Sequence, residues 1–430
     1  MCKIAMISMH TCPLACPHAL LGGRETGGMN VYVRELSREL GRRGKSVDVF
    51  TRFQDEYTDQ IQELGQGARV IHLPAGPRAP YNKYALVHHV DEFADHIIQF
   101  AHREGISYDL IHAHYWLSGL VAARLKQEWG VPVVQMFHTL GQLKNRVAKS
   151  EAERELDVRI EVETQVMHQA DRLIAATPVE KAQMVWCYGA DADKIEVVPA
   201  GVDTELFHPR DRAQVRKALG LPGLDTPILL FVGRIERLKG LDTLLESVAV
   251  VSRTCAGRNL RVLIVGGGSP DLREEENAEL RRIVELHHDL NLYDQVEFVG
   301  SKPQEMLPLY YSAADITVMP SHYESFGLVA VESMASGTPV IASNVGGLAY
   351  TVKDGQTGFL VPEENHFALA ERVHLLLKNP QLRLHMGEQA AQHARQYSWK
   401  NIATKIIDLY DEQISGHYGT NCRCEHSQCK

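Results

Sequence analysis

The sequence has no apolar run that approaches the roughly 20 residues needed to cross a bilayer, so no membrane-spanning helix is expected. It also has no block of lysines and arginines of the kind that follows a phosphate backbone, and its net charge is a mild −9. Nucleic acid is therefore not an expected partner. The first residues, MCKIAMIS, lack the long apolar region of a signal peptide and are typical of a strand. We accordingly expect a cytoplasmic protein.

Cysteine is too sparse for a disulfide framework, since there are eight in 430 residues. Six of them fall near the two ends of the chain: Cys2, Cys12, Cys16, Cys422, Cys424 and Cys429. His417 and His426 stand beside the C-terminal group, and a metal site there is one interpretation. The spacing is not that of a common zinc module, so we expect residues 416–430 to form a disordered tail.

Two catalytic motifs are also missing. The chain has no GxxxxGK[ST] phosphate loop, which excludes a P-loop nucleotidase, and no GxSxG nucleophile elbow. The stretch DAD at 191–193 is similar to a divalent-metal motif, but its place before the strand KIEVVPAG favours a surface turn.

Short apolar, β-branched runs alternate with amphipathic helical stretches along the chain, which indicates parallel sheets covered on both faces. The runs form two series, from KIAMIS to IEVVPAG and from PILLFVG to GFLVP. They predict an α/β protein of two doubly wound domains, which we place at residues 1–205 and 206–396 because the polar stretch AGVDTELFHPRDRAQ separates them. Open α/β sheets bind ligands at the carboxyl ends of their strands, so we expect functional residues after strands and facing a cleft between the domains.

Glycine pairs follow the first strand in GGRETGGMNVYVRELSRELGRRG. After them, Met29, Val33, Leu36 and Leu40 recur at helical spacing, so the loop leads into a helix N-terminus. Free amides and the helix dipole at such a terminus suit a phosphate group. The alternative is an ordinary loop before an ordinary helix.

A second candidate is FVGRIERLKG, in which Arg234 and Lys239 follow the first strand of the second series. Beside a cleft the two cations could hold a diphosphate, the arginine through a bidentate fork and the lysine as a compact charge. The alternative is a pair of surface cations.

The third candidate is SHYESFGLVAVESMASG, where Glu324 and Glu332 stand eight residues apart. ESFG is predicted to be the turn from a strand to a helix, with the amides of Phe326, Gly327 and Leu328 at the helix N-terminus. The apolar residues around Glu332 do not fit a simply solvated position. We interpret the two carboxylates as acceptors for sugar hydroxyls beside a phosphate site.

In the first half, His114 and His138 follow apolar strands, where histidine is more often a structural hydrogen-bonding group than a catalyst. The long charged stretch that follows carries Arg159 and Glu163 four residues apart. Its simplest interpretation is a solvated helix with internal ion pairs.

Taken in order, these motifs resemble the retaining glycosyltransferases of family GT4, from about residue 3 to residue 412. The resemblance is carried by GGMNVYV, HAHYW, FHTLGQLKN, VVPAGVD, GRIERLKG and the EX7E signature that runs from Glu324 to Glu332. It implies the GT-B fold, two Rossmann-like domains facing across a cleft, and a C-terminal helix at 397–415 that returns to the first domain. It also implies a nucleotide sugar, UDP-linked by preference, as co-substrate for hexosyl transfer with retention, without a metal or other cofactor.

The resemblance also implies roles for individual residues. Arg234 and Lys239 would bind the donor diphosphate, Glu324 the donor sugar and Glu332 the ribose, while His138 would position the donor sugar. The implied catalytic set is Arg234, Lys239, Glu324 and His138. The implied donor-binding set adds Gly27, Gly28, Ser325, Phe326, Gly327, Leu328 and Glu332.

The motifs GGMNVYV and HTLGQLKN are similar to those of GT4 members that glycosylate an inositol phosphate or fructose 6-phosphate. The residues implied to bind that acceptor are Asn30, Lys83, Tyr115, Thr139 and Arg159. Such cationic and hydroxyl donors suit a phosphate dianion, which implies a phosphorylated small-molecule acceptor. Met29 stands where the sucrose group commonly has glutamine, so we favour the inositol-phosphate type.

Several alternatives stay open. The acceptor could be fructose 6-phosphate, a lipid or a polysaccharide. Outside the transferases, the same scaffold serves nucleotide-sugar epimerases and non-catalytic nucleotide-sugar binding proteins. The sequence also leaves the oligomeric state open, a homodimer included.

Overall fold

The computed structural model describes residues 2–14, 27–254, 257–267 and 278–425, with side chains described up to residue 417. These residues form two compact units. The first unit contains the described chain up to Gly201 and the segment from Trp399 onward, and the second is Val202–Ser398. The sequence analysis placed the corresponding boundaries after residues 205 and 396.

Strands and helices alternate through the first unit. Its elements in chain order are β1 Lys3–Ile7, α1 Gly28–Arg42, β2 Ser46–Arg52, β3 Ile61–Gly65, β4 Ala68–Leu73, α2 Val90–Arg103, β5 Leu110–His114, α3 Tyr115–Trp129, β6 Val133–Met136, α4 Gly141–Val147, α5 Asp157–Gln169, β7 Arg172–Ala175, α6 Pro178–Tyr188 and β8 Ile195–Val197. Within the described residues the sheet order is β3-β4-β2-β1-β5-β6-β7-β8, and all pairings are parallel except that of β3 with β4.

The second unit repeats this architecture with a smaller sheet. Its elements are α7 Arg212–Leu219, β9 Ile228–Val232, α8 Leu241–Val251, β10 Arg261–Val265, α9 Ala278–Asp289, β11 Val296–Gly300, α10 Leu307–Ala313, β12 Ile316–Met319, α11 Leu328–Ala335, β13 Val340–Ser343, α12 Leu348–Thr351, β14 Gly358–Val361, α13 His366–Lys378 and α14 Pro380–Ala394. In the part that the structure describes, the strands are all parallel in the order β11-β10-β9-β12-β13-β14.

The prediction of two doubly wound α/β domains is confirmed. All the strands predicted from apolar runs are present, and the one strand that the sequence analysis missed among the described residues is β3. β3 is an antiparallel edge strand with mostly exposed residues, so it has no continuous apolar run to reveal it. The other strands could be predicted because they are buried and therefore apolar. In the core of the second unit, fully buried residues of β9, β10, β12 and β13 pack against α8 and α13.

The strand orders locate one switch point in each sheet. In the first unit the chain winds away on opposite sides of β1 and β5, and in the second it does so on opposite sides of β9 and β12. At such a point the loops after neighbouring strands diverge and leave a crevice at the carboxyl edge, where α/β sheets bind their ligands. The two loops at each switch point are therefore the first places to look for a site.

The chain leaves the first unit and re-enters it at one place. In the first unit, a Cβ atom on Gly201 would lie 2.4 Å from Cδ2 of Trp399, so only glycine fits against that ring. In the second unit, Val202 forms an isolated parallel bridge with Ser398, and its amide donates to the carbonyl of Tyr397 at 2.8 Å. The first and last residues of the second unit are thus hydrogen-bonded neighbours.

The C-terminal helix, α15 Trp399–Glu425, belongs to the first unit. Its Tyr410 hydroxyl lies 2.6 Å from Nδ1 of His112 on β5, and Thr404 accepts a hydrogen bond from Arg43 at the end of α1. The sequence analysis expected residue 416 to begin a disordered tail, whereas the structure describes a helix that continues to Glu425. Residues 426–430, with His426 and Cys429, lie outside the described residues. Among the described helices, none is both long and apolar enough to span a membrane.

A buried carboxylate ties several elements of the second unit together. Asp315, just before β12, accepts hydrogen bonds from Arg212 at 3.0 Å and Arg216 at 2.8 Å on α7, and from the Ile228 amide at 2.8 Å. Arg383 on α14 lies 3.1 Å from the same carboxylate. Asp315 is only 3% exposed, so these contacts replace its hydration and hold α7 and α14 to the sheet.

We expect Asp315→Asn to lower the free energy of unfolding by about 3–5 kcal/mol, because it leaves buried guanidinium groups without their counter-charge. The control is Asp294→Asn, an exposed aspartate of the same unit, which should change stability by no more than about 0.5 kcal/mol. Urea denaturation followed by circular dichroism measures both. Equal stability of the two variants would contradict the assigned role of Asp315.

Candidate functional site

Several of the residues predicted to bind ligands lie in the loops at the two switch points. In the second unit, Arg234 follows β9 and Glu324 follows β12. In the first unit, Gly27 lies just before α1 on the connection from β1, Gly28 is the first residue of α1, and Tyr115 directly follows β5. The positions are those expected for side chains that follow parallel strands.

Lys239 and Glu324 are in direct contact in the second unit. The Lys239 ammonium donates a hydrogen bond to Glu324 Oε2 at 2.6 Å. Two backbone features hold their loops together: His322 donates its amide to the carbonyl of Leu238 at 2.9 Å, and a Cβ on Gly240 would lie 2.0 Å from the carbonyl oxygen of Pro320. The backbone thus fixes the cation beside the carboxylate. Arg234 is about half exposed, and its guanidinium pairs with Glu236 at 2.8 Å.

The turn ESFG begins a helix, as predicted. Gly327 is the N-cap of α11, with φ +92°, a left-handed conformation that favours glycine. The loop between β13 and α12 contacts this turn, since Gly347 donates its amide to the carbonyl of Glu324 at 2.7 Å. A Cβ on Gly346 would lie 2.2 Å from the same carbonyl oxygen, so the two backbones are in contact. Ser325 and Phe326 lie in this supported turn.

Glu332 lies on α11 and is 7% exposed, in agreement with its interpretation as a carboxylate that is not simply solvated. The Tyr311 hydroxyl donates to Glu332 Oε2 at 2.8 Å. Burial and, to a smaller extent, the neighbouring Glu332 carboxylate raise the pKa of Tyr311 well above its usual value. The phenol therefore stays protonated and donates its hydrogen bond to the glutamate. The sequence analysis missed Tyr311, which no motif marks.

Two predicted site residues of the first unit have strained backbones. Tyr115 has φ +76° and His138 has φ +64°, and both values lie in the left-handed region. Four of the described non-glycine residues have a positive φ, and two of the four are these. Such strain persists only where surrounding contacts impose it, and it is concentrated at functional sites.

His138 is partly buried and contacts a buried histidine, His114. Its Nε2 shares a hydrogen bond of 3.0 Å with Nδ1 of His114, and the ring of Tyr32 packs edge-on with ring centroids 5.1 Å apart. Burial lowers the pKa of His138 to about 3, and burial lowers the pKa of His114 well below its usual value. Both imidazoles are therefore neutral at pH 7, and one ring donates to the other. A neutral His138 can orient a ligand through hydrogen bonds but does not bring a positive charge.

Arg159 organises the other predicted acceptor residues. Its Nη2 donates to the hydroxyl of Thr139 at 3.0 Å, and its guanidinium lies 4.8 Å from the centre of the Tyr115 ring. Its Nε donates to Glu163 at 2.7 Å. The interpretation of Arg159 and Glu163 as a solvated ion pair is wrong, because both residues are fully buried.

Lys83 is linked to Arg159 by Glu155, a residue that the sequence analysis missed. Lys83 Nζ donates to Glu155 at 2.8 Å, and Arg159 Nη1 lies 2.9 Å from the same carboxylate. Lys144 and the Tyr84 hydroxyl also hydrogen-bond to Glu155. Glu155 stands in the charged stretch SEAERELD, where no pattern distinguishes a buried carboxylate from its solvated neighbours.

The remaining predicted residues surround the start of α1. Gly27 is its N-cap with φ −112°, and a Cβ atom there would meet no described atom within 4 Å. Neither backbone conformation nor crowding by the described protein therefore requires glycine at this position, whereas the approach of a ligand would. Gly28 is exposed, and Asn30 donates its amide to the Gly27 carbonyl at 3.0 Å.

Two Rossmann-like units, each with polar residues at its switch point, are the architecture of the GT-B glycosyltransferases, and the solved structures similar to this chain belong to that class. The sequence matches the family description "Glycosyltransferase Family 4" over residues 26–206 and "Glycosyl transferases group 1" over residues 211–393. The chain therefore belongs to the glycosyltransferases that combine a family 4 domain with a group 1 domain.

Similar proteins agree with this assignment. The chain is 39% identical to a D-inositol 3-phosphate glycosyltransferase of Corynebacterium diphtheriae over 95% of this chain and 94% of the relative. It is 41% identical to the protein of the same name from Corynebacterium efficiens, over 95% of each chain. Among solved structures, a sucrose-phosphate synthase from Thermosynechococcus elongatus is 37% identical, with a TM-score of 0.87, over 97% of this chain and 100% of that one.

We expect Gly346→Ala to reduce turnover of a nucleotide sugar by about tenfold or more, because the new methyl group displaces the Glu324 backbone. Gly355→Ala is the matched control, since Gly355 also has a positive φ, +72°, but open space around its Cβ position. It shares the conformational cost and should change turnover by no more than about twofold. Steady-state kinetics with both variants decides the matter, and equal losses would show that strain alone is responsible.

Proposed function

We propose that this protein is a retaining glycosyltransferase that moves a hexosyl group from a nucleotide sugar, UDP-linked by preference, to a hydroxyl of a phosphorylated polyol or sugar. The observation that carries the acceptor class is the partly buried group in the first unit, where Lys83, Lys144 and Arg159 converge with hydroxyl donors. Several charge-assisted donors in one place suit a phosphate dianion better than a neutral hydroxyl compound. We favour an inositol phosphate, which accords with the names of the relatives.

On the donor side, Arg234 and Lys239 would bind the diphosphate and stabilise the negative charge that develops as the nucleotide departs. The amides of Phe326, Gly327 and Leu328 at the start of α11 would add hydrogen bonds to a phosphate. Glu324 would accept hydrogen bonds from the sugar hydroxyls.

Glu332 would accept from the ribose hydroxyls, with Tyr311 fixing its carboxylate. Gly27 and Gly28 would let the first unit's backbone approach the diphosphate closely. Asn30 in the first turn of α1 and Tyr115 after β5 would contact the acceptor.

For retention we propose front-side attack, in which the departing phosphate accepts the proton of the attacking hydroxyl. No carboxylate then has to act as a nucleophile. His138 is neutral because burial lowers its pKa to about 3, so its role is to position the donor sugar and not to supply a proton as an imidazolium.

A second candidate is transfer to fructose 6-phosphate. The observation that favours it is the similarity to sucrose-phosphate synthase, with a TM-score of 0.87 at 37% identity. Both candidates require the acceptor's phosphate to be bound, so the cationic group does not separate them. The two candidates are separated by which acceptor, inositol phosphate or fructose 6-phosphate, supports the faster transfer.

The decisive test measures nucleotide release from UDP-glucose, UDP-N-acetylglucosamine, GDP-mannose and ADP-glucose. Each donor is offered with inositol phosphate, with fructose 6-phosphate and with no acceptor. We expect release that depends on a phosphorylated acceptor and that Arg159→Ala reduces by about 100-fold or more in kcat/KM, because a charge-assisted contact to phosphate is lost.

Arg154→Ala is the matched control, because Arg154 lies in the same segment and is half exposed. It should leave kcat/KM within about twofold. Release that is indifferent to both phosphates, with Arg159→Ala fully active, would contradict a phosphorylated acceptor and indicate a lipid or polysaccharide. Epimerised sugar nucleotide, or binding without release, would contradict transfer altogether.

We also propose that no metal ion takes part, because Arg234 and Lys239 supply the positive charge for the diphosphate. In the described part of the second unit, one group could hold an ion: His322, Glu363 and Glu364, with Nδ1 of His322 3.3 Å from a Glu363 oxygen. Exhaustive treatment with EDTA should leave the rate of transfer unchanged. Lost activity that a divalent ion restores would contradict the proposal, and His322→Ala would then show whether this group binds the ion.

A further inference from the structure

Glu155 accepts four strong hydrogen-bond donors, about as many as the two oxygens of a carboxylate can take. Its side chain is 4% exposed and receives Lys83 Nζ at 2.8 Å and Arg159 Nη1 at 2.9 Å. Lys144 and the hydroxyl of Tyr84 donate to the same carboxylate. These donors come from three separate parts of the first unit: the loop after β4, helix α4 and helix α5.

The charges in this group do not cancel. Lys83, Lys144 and Arg159 carry three positive charges, whereas Glu155 and Glu163 carry two negative charges. Burial by itself would raise the pKa of the Glu155 carboxyl, but Arg159, Lys144 and Lys83 outweigh burial and hold its pKa well below the usual range. Glu155 is therefore ionised at neutral pH, and among these five side chains the positive charges outnumber the negative charges by one.

A phosphate dianion would balance the same group better. It carries one more negative charge than a carboxylate, which equals the excess, and one more oxygen atom to accept the converging donors. The carboxylate and the phosphate would compete for the same lysine, arginine and tyrosine atoms, and two anions side by side would repel each other.

The backbone and side chain of Glu155 are held independently. Its amide donates to Oδ1 of Asn145 at 2.7 Å, and Asn145 Nδ2 donates back to its carbonyl at 3.1 Å. A rotation of the side chain away from the cations would therefore leave these two backbone hydrogen bonds intact.

We propose that Glu155 is an internal substitute for the acceptor's phosphate: its carboxylate keeps the cations in place in the unliganded protein, and a phosphorylated acceptor binds by displacing it. This rests on the proposed function, because it concerns how that acceptor is recognised. A compound without a phosphate cannot replace the lost contacts, so the exchange makes Glu155 a determinant of specificity as well as of affinity.

The opposite role for Glu155 predicts an opposite result. If the carboxylate stays in place and only holds the cations in position for phosphate, its removal weakens phosphate binding. If it competes with phosphate, its removal strengthens binding. The sign of one measurement separates the two roles.

The test compares the full-length protein with Glu155→Gln, using isothermal titration calorimetry with inorganic phosphate. We expect at least about tenfold tighter phosphate binding by the variant, because phosphate no longer has to replace charge-assisted hydrogen bonds. Glu151→Gln removes the same charge four residues earlier at an 89% exposed side chain and should bind phosphate as the unaltered protein does. Equal or weaker binding by Glu155→Gln overturns the proposal.

Glu155→Asp guards against a folding defect, since it keeps the charge but shortens the side chain by one methylene. Competition predicts tighter phosphate binding for this variant also, whereas a holding role predicts weaker binding. With the best phosphorylated acceptor, competition predicts that Glu155→Gln lowers KM, whereas a holding role predicts that it raises KM.

Failure of this proposal and failure of the proposed function give different results. If the unaltered protein uses a phosphorylated acceptor but Glu155→Gln raises KM, the exchange is wrong and the function stands. If neither protein binds phosphate and nucleotide release needs no phosphorylated acceptor, both are wrong.

Discussion

A fully buried guanidinium, that of Arg159, is the constraint on which the site of the first unit depends. A buried charge is tolerable only when it is paired and hydrogen-bonded, and here the partners are Glu155, Glu163 and Thr139. Glu163 in turn accepts from the Gly141 amide at 2.9 Å and from the Tyr188 hydroxyl at 2.5 Å. The demand of one side chain for partners thus orients the starts of α4 and α5 and the end of α6 around a single point.

The second unit achieves the same rigidity by a different route. Its loops are in backbone contact, since a Cβ on Gly266 would lie 1.7 Å from the carbonyl oxygen of Gly233, and Gly346 and Gly347 contact the ESFG turn in the same way. If the second unit binds a diphosphate as proposed, amides and cations at loop ends would hold it, so the position of the backbone would matter most. The proposed recognition of a phosphorylated acceptor would depend instead on side-chain charges that are held before the ligand arrives.

The architecture was predictable from the sequence because parallel strands buried on both faces leave continuous apolar runs. The burial of Glu332 could also be predicted, because its immediate neighbours on the helix are apolar. Glu155 and the buried state of Arg159 were not, because their burial comes from helices and loops distant in sequence, and a charged stretch has the same pattern whether it is solvated or covered. The edge strand β3 and the continuation of α15 past residue 415 were missed because the local composition of these segments does not distinguish them from loops.

The first and last residues of the second unit are hydrogen-bonded neighbours, which bears on how the chain can be engineered. Because Val202 and Ser398 are bridged, and Gly201 packs on Trp399 in the first unit, the whole second unit is an insertion whose entry and exit lie side by side. Segments with adjacent termini are the ones that tolerate excision and transplantation. Residues 202–398 could therefore be exchanged as one segment for the corresponding segment of a relative, while the rest of the chain keeps its own sequence.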